Sequence, residues 1–207
     1  MVFSGPMSKF RFRSVDGSDI APEQWLPMWA ARFPESKYPG YAELIAKQKP
    51  LSGEDFKHIG KWKDGVKTDR KWRVNVAAVA FPIWMQAASE SPKCPTESEV
   101  AHFLNDWSER KYTDQYANGL QEKRFGVARA TTLLHFLSGG DFPICDSRVK
   151  RAMKRIRNTP VSKTVGWYLD SYCPFFSQVA AMCATTDSRS VDKALFSYGG
   201  RILPFSE

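Results

Sequence analysis

Asp146 follows the lead-in Phe142-Pro143-Ile144-Cys145 and precedes Ser147-Arg148-Val149-Lys150-Arg151, so a carboxylate stands at the predicted start of a helix. A carboxylate there can accept the free amides of the first turn. It is equally a candidate to stabilise positive charge or to orient water. Upstream, Gly126-Val127-Ala128 reads as a glycine turn opening another helix, with Arg129 in its first turn. Helix N-termini present unpaired N–H groups and positive partial charge, and can hold a phosphate. The helix after Asp146 has Val149, Ala152, Met153 and Ile156 on one face. Its other face is almost purely basic and carries Arg148, Arg151 and Arg155.

Other residues could also do chemistry, each beside a plainer role. Cys145 could be a thiol activated by the helix end, which would make the protein a hydrolase of another class; the expectation is a buried small side chain. His135 lies mid-helix among apolar residues and reads as a satisfied core histidine. Asp192 could be a second acid, but Ser190-Val191-Asp192 also reads as the capped first turn of a helix, and that is the expectation. Trp62 and Trp72 could stack on bases, with core packing expected instead. Cys94, Cys145, Cys173 and Cys183 contain no C-x-x-C pair, and His58, His102 and His135 are scattered, so no metal site is read. No cofactor is implied.

The 207 residues carry 30 Lys+Arg against 22 Asp+Glu, a formal charge of +8, which points to a polyanionic partner, nucleic acid before a membrane surface. The surplus is concentrated. Residues 57–73 hold seven Lys/Arg around Trp62 and Trp72, and residues 147–163 hold seven with no acid to offset them. At 43% hydrophobic and 25% charged the composition excludes a disordered chain. No leader pattern is read at the N-terminus. The most apolar run, Val74 to Ala88, is interrupted by Asn75, Pro82 and Gln86 and is too short to span a bilayer. A soluble, cytoplasmic protein of a reducing compartment is expected.

The elements that must position these residues read as all-α, about ten helices. Pro22 opens a helix with the stripe Trp25, Met28, Trp29, Phe33. A short helix is expected from Tyr38 to Ala46. Ser52 with Asp55 starts another, ending near Gly65. A long buried helix is expected over 71–90, kinked at Pro82. Thr96 with Glu99 forms a capping box ahead of Val100, Phe103, Leu104 and Trp107. Helices are then expected near 113–123, 127–138, 147–156, 164–184 and 190–200.

The run Gly126-Val127-x-Arg129-x-Thr131, an apolar helix, the Gly139-Gly140 turn and Phe142-Pro143-Ile144-x-Asp146-x-x-Val149-x-Arg151 resembles the helix-hairpin-helix base-excision DNA glycosylases. It is most similar to their adenine-mismatch branch, and the likeness covers about 35 residues of the chain. The resemblance implies a two-lobed helical glycosylase-like architecture containing a helix-hairpin-helix element. The central lobe would span 52–140; 1–51 and 141–207 would form the other. It further implies that Gly126, Val127 and Ala128 grip a phosphate of double-stranded DNA, with Arg129, Arg148, Arg151 and Arg155 assisting. Asp146 would be the catalytic acid, and Phe196 and Tyr198 on the last helix would line the base pocket.

Three departures qualify the likeness. The hairpin's usual Leu-Pro-Gly-Val-Gly is Arg124-Phe125-Gly126-Val127-Ala128 here. The lysine of bifunctional members falls on Ala130, which implies base release without strand cleavage. The four-cysteine iron–sulfur loop is absent. The activity implied is hydrolysis of the base–deoxyribose bond of a flipped damaged, mismatched or modified base. The alternative is a non-catalytic DNA-binding or adaptor module that kept only the hairpin.

Overall fold

The computed structural model describes residues 10–38, 40–46, 51–64, 95–116 and 119–200. The helix expected over 71–90, the basic residues from 67 to 73 and Trp72 lie outside these, as does the side chain of Trp62. The described chain is mostly helical: α1 (Pro22–Ala30), α2 (Tyr41–Ala46), α3 (Gly53–Asp64), α4 (Glu97–Glu109), α5 (Gly126–Leu137), α6 (Ser147–Arg157), α7 (Val165–Trp167), α8 (Cys173–Met182) and α9 (Ser188–Gly200).

Local signals set several of these ends. Thr96 accepts from the Glu99 amide at 3.2 Å while Glu99 accepts from the Thr96 amide at 2.7 Å, closing the expected capping box on α4. Asp55 does the same for α3, accepting from the amide and hydroxyl of Ser52. Asp187, not Ser190, caps α9: its carboxylate accepts from the amides of Arg189 and Ser190 and from the Ser190 hydroxyl. Ser190 is therefore inside the helix.

The chain departs from the helical expectation between α4 and α5. In place of a helix near 113–123, β1 (Lys111–Tyr116) and β2 (Gly119–Arg124) pair antiparallel, with Tyr116 opposite Gly119. Thr113, Tyr112 and Tyr116 favour extended backbone. Gly126 is thus entered from a strand, where a helix-hairpin-helix needs a helix.

The buried side chains form one continuous cluster. At its centre α9 lies against α6 on one side and α1 on the other. The approach to α6 requires Gly199, because a Cβ there would lie 1.8 Å from the Arg148 carbonyl oxygen. Towards α1, Tyr198 meets Trp25 and Trp29 edge-on at 5.6 and 5.1 Å. α4 covers α5. α5 is apolar nearly all round, with Leu133, Leu134, Phe136 and Leu137 all fully buried.

Candidate active site

The extended lead-in to α6 runs through the interior, so its backbone polar groups need partners. Side chains supply them one after another. His135 Nδ1 donates to the Phe142 carbonyl at 2.7 Å. The Tyr168 hydroxyl donates to the Pro143 carbonyl at 2.9 Å, and the Tyr172 hydroxyl to the Ile144 carbonyl at 3.0 Å. The Cys145 amide donates to Thr131 Oγ1 at 3.1 Å. Tyr168 and Tyr172 bound a single π-helical turn between α7 and α8, just ahead of Pro174, whose missing N–H breaks the α-helical ladder. That wider turn aims both hydroxyls at successive carbonyls. The lead-in is clamped from α5 on one side and from the π turn on the other.

Asp146 emerges from this clamp as the N-cap of α6. Its Oδ1 accepts from the amides of Arg148 at 2.8 Å and Val149 at 3.1 Å. Its Oδ2 faces Lys63 Nζ of α3 at 3.8 Å. The carboxylate stands at a cavity of about 60 Å³, with room for a few waters. Phe33, Tyr38 and Phe196 make an aromatic wall in which Phe33 stacks on Tyr38 at 4.9 Å and meets Phe196 edge-on at 5.2 Å. The charged lining is Asp146, Lys63, Arg189 and Asp192.

Asp192 was expected in the first turn of a helix capped by Ser190, and that expectation fails because Asp187 is the cap. It is 6% exposed, one turn deeper in α9 than its cap, and burial pushes its carboxyl up to about 6 despite the Arg189 charge beside it. Arg189 Nη1 donates to Asp192 Oδ2 at 2.9 Å. The guanidinium lies 3.6 Å from the centre of the Tyr41 ring and 4.6 Å from that of Phe33. Its Nε and Nη2 are buried with no hydrogen-bond acceptor among the described residues. Tyr41 in turn meets His135 Nε2 through its hydroxyl at 2.6 Å. Since His135 Nδ1 donates to Phe142, Nε2 is the acceptor of that bond. Burial holds the imidazole down to about 4, so His135 is neutral and serves as the expected satisfied core histidine.

The other residues singled out from sequence are distributed as follows. Phe196 lies in the aromatic wall. Tyr198 does not: it is 1% exposed and packed on Trp25 and Trp29, a correction that follows from α9 turning Tyr198 towards α1 and Phe196 towards the cavity. Arg148 lies over the outer side of Phe196 at 4.2 Å. Arg151 Nε donates to the Gly199 carbonyl at 2.8 Å and Arg155 Nη1 to the Tyr198 carbonyl at 2.6 Å. Both thereby hold the C-terminal end of α9, where cations are favoured. Gly126 opens α5 at φ +74° with no side chain capping the turn. Val127 is buried, Ala128 half-buried, and Arg129 Nη1 donates to the Phe125 carbonyl at 3.3 Å. Ala130 is fully buried, facing the core.

Cys145 is also fully buried, and burial pushes its thiol up to about 12, which leaves a cysteine-hydrolase reading without a nucleophile. Among the described residues no group of three or more potential ligands could hold a metal ion. None of their helices is long and apolar enough to cross a membrane.

Sequence reasoning missed Lys63 and Arg189 and undervalued Asp192. Lys63 is one of seven cations in its stretch, with nothing local to set it apart. Comparison with protein-family models, with curated proteins and with solved structures finds no match to this chain.

Proposed function

We propose that this chain is a DNA N-glycosylase that releases a damaged, mismatched or modified base. The observation that carries the reading is the setting of Asp146: a carboxylate held rigidly at a helix start, at an aromatic-walled cavity that also holds Lys63, Arg189 and Asp192. Breaking a base–sugar bond builds positive charge on the deoxyribose. A carboxylate fixed beforehand against that sugar stabilises the charge without having to reorganise. Asp146 is fixed in this sense by its two amide bonds and by the clamped lead-in behind it. The base must leave the stack to reach such a site, and the rings of Phe33, Tyr38 and Phe196 offer it an apolar wall.

The cavity draws on three stretches of chain: Phe33 and Tyr38 from the N-terminal residues, Lys63 from α3, and the rest from 141 onward. In the two-lobed reading this junction is the cleft, and DNA lies along it. The exposed cations of α6, with the formal +8 of the chain, supply the phosphate attraction. The turn at Gly126 is a weaker phosphate holder than a helix-hairpin-helix, since a strand precedes it. Arg151 has donors left over after capping α9 and acts at the margin of the DNA path; Arg155 lies one turn further along the same face of α6.

With Ala130 buried where the bifunctional enzymes' lysine would stand, base release without strand scission is expected. The test is a panel of duplexes carrying 8-oxoguanine, alkylated bases, uracil, mismatched adenine and hypermodified bases, scored for free base and for strand integrity. Release of one class with an intact strand is the expected result. Tight, salt-sensitive binding with no release from any duplex would favour a binding module instead. A covalent adduct trapped by borohydride would contradict the release-only mechanism and direct attention to Lys63.

A further inference from the structure

Two carboxylates share the cavity but stand in unlike surroundings. Asp146 caps α6 with its side chain 20% exposed, tied to two backbone amides and faced by Lys63. Asp192 projects from α9 with its side chain 8% exposed, and among the described residues its only hydrogen bond is from Arg189 to Oδ2. That leaves Oδ1 for whatever enters the cavity. Building on the glycosylase reading, we infer that Asp192 is the second carboxylate of the reaction and hands a proton to the departing base, while Asp146 faces the sugar.

The division of labour follows from the two settings. A buried carboxyl whose surroundings favour its protonated form can serve as the proton donor. Asp192 is such a group. Burial and the charge of Asp146 favour its protonated form; Arg189 on its own helix and Lys63 on α3 oppose them. Among the described residues Tyr38, Tyr41 and Tyr172 also face it, and burial raises all three hydroxyls, so they stay neutral. Arg189 is a positioning residue. Its guanidinium lies against Tyr41 and Phe33, and one arm fixes the Asp192 oxygen that does not carry the proton.

In the step itself, Asp192 Oδ1–H gives its proton to a ring nitrogen or carbonyl oxygen of the base. The C1′–N bond breaks with its electron pair leaving on the base. Water adds to C1′ and gives up a proton to solvent, from which Asp192 is reprotonated. The net change is hydrolysis, with no co-reactant but water.

A base that already carries positive charge does not need this proton, and that separates an acid from a structural residue. The experiment measures single-turnover release from duplexes bearing 7-methylguanine, a cationic leaving group, and from duplexes bearing uracil, mismatched adenine or 8-oxoguanine, which leave as neutral bases. With wild-type protein, release of a neutral base is expected to fall about tenfold per pH unit above pH 6, while release of 7-methylguanine does not. Asp192→Asn is expected to raise the ratio of cationic to neutral release by about a hundredfold or more. A wild-type profile for neutral bases that is flat from pH 5 to 8 would overturn the proposal, with no variant required. So would release of 7-methylguanine alone, or equal losses on both substrate types in Asp192→Asn. Release of nothing by wild-type protein would remove the glycosylase reading itself and this inference with it. Release that depends on Asp146 but not on Asp192 would leave the first standing and remove the second.

Discussion

At Asp146 a helix begins with its first amides held by a carboxylate and its lead-in tied by four side-chain bonds; at Gly126 a helix begins with no side-chain cap and a strand behind it. Both helix starts carry the positive end of a dipole. What differs is the enclosure. The Asp146 end faces a cavity with three further ionisable groups, where low dielectric strengthens each interaction. At Gly126 a Cβ would meet nothing within 4 Å, so that end lies open. A helix start becomes a candidate catalytic site through what the rest of the fold brings to it, and only one of these two has been so equipped.

The contrast can be broken most severely at Gly199. Gly199→Ala places a methyl group on the Arg148 carbonyl and forces α9 off α6, separating Asp192 and Phe196 from Asp146. A loss on the order of 3 kcal/mol or more is expected in chemical denaturation, with loss of the site.

The pH dependence of stability sharpens the difference next. Asp192 keeps its proton up to about 6, whereas in the unfolded chain it loses it near 3.8. Between those values the folded chain binds more protons, so this group's contribution to stability falls as pH rises. His135 acts in the opposite sense. It takes its proton only below about 4, against 6.5 when unfolded, so its contribution rises over the same window. The two offset each other in wild type. Asp192→Asn removes the first, and the variant is expected to gain on the order of 2 kcal/mol relative to wild type between pH 4 and 7. Denaturant midpoints at several pH values check this; a constant difference between the two proteins would mean that Asp192 does not titrate in that window.

Tyr41→Phe removes the hydroxyl on His135 Nε2 and leaves a buried acceptor unpaired, at a cost of about 1–3 kcal/mol. Because Tyr41 also lies under Arg189, base release should fall as well. Stability measured with activity at pH 7 reads both. Gly126→Ala is the mildest change. It costs about 1 kcal/mol through its positive φ, with nothing for the methyl to strike, and thermal melting reads it. A much larger loss would show that the Gly126 end is as tightly built as the Asp146 end.

What the sequence disclosed about these two ends was what local rules carry. The Asp146 cap, the Thr96–Glu99 box and the apolar face of α6 each lie within a few residues, where capping chemistry and the helical repeat are readable. The hairpin was not legible, because the residues of β1 and β2 are compatible with either state. Asp192 was misread because Ser190 looked like a cap, while Asp187, three residues earlier, does that work. Lys63 and Arg189 were beyond reach, since their role arises only where α3, α6 and α9 converge. Tyr198 was expected in the pocket from its place on the last helix, but its ring packs on Trp25 and Trp29 of α1.

The most direct measurement compares wild type with Asp146→Asn on a single duplex that wild type cleaves at the base–sugar bond, recording base release and duplex affinity side by side. Asparagine still caps α6, so folding and binding should survive. Release is expected to fall by about a hundredfold to a thousandfold, with affinity nearly unchanged. Release at the wild-type rate would contradict the central role given to Asp146.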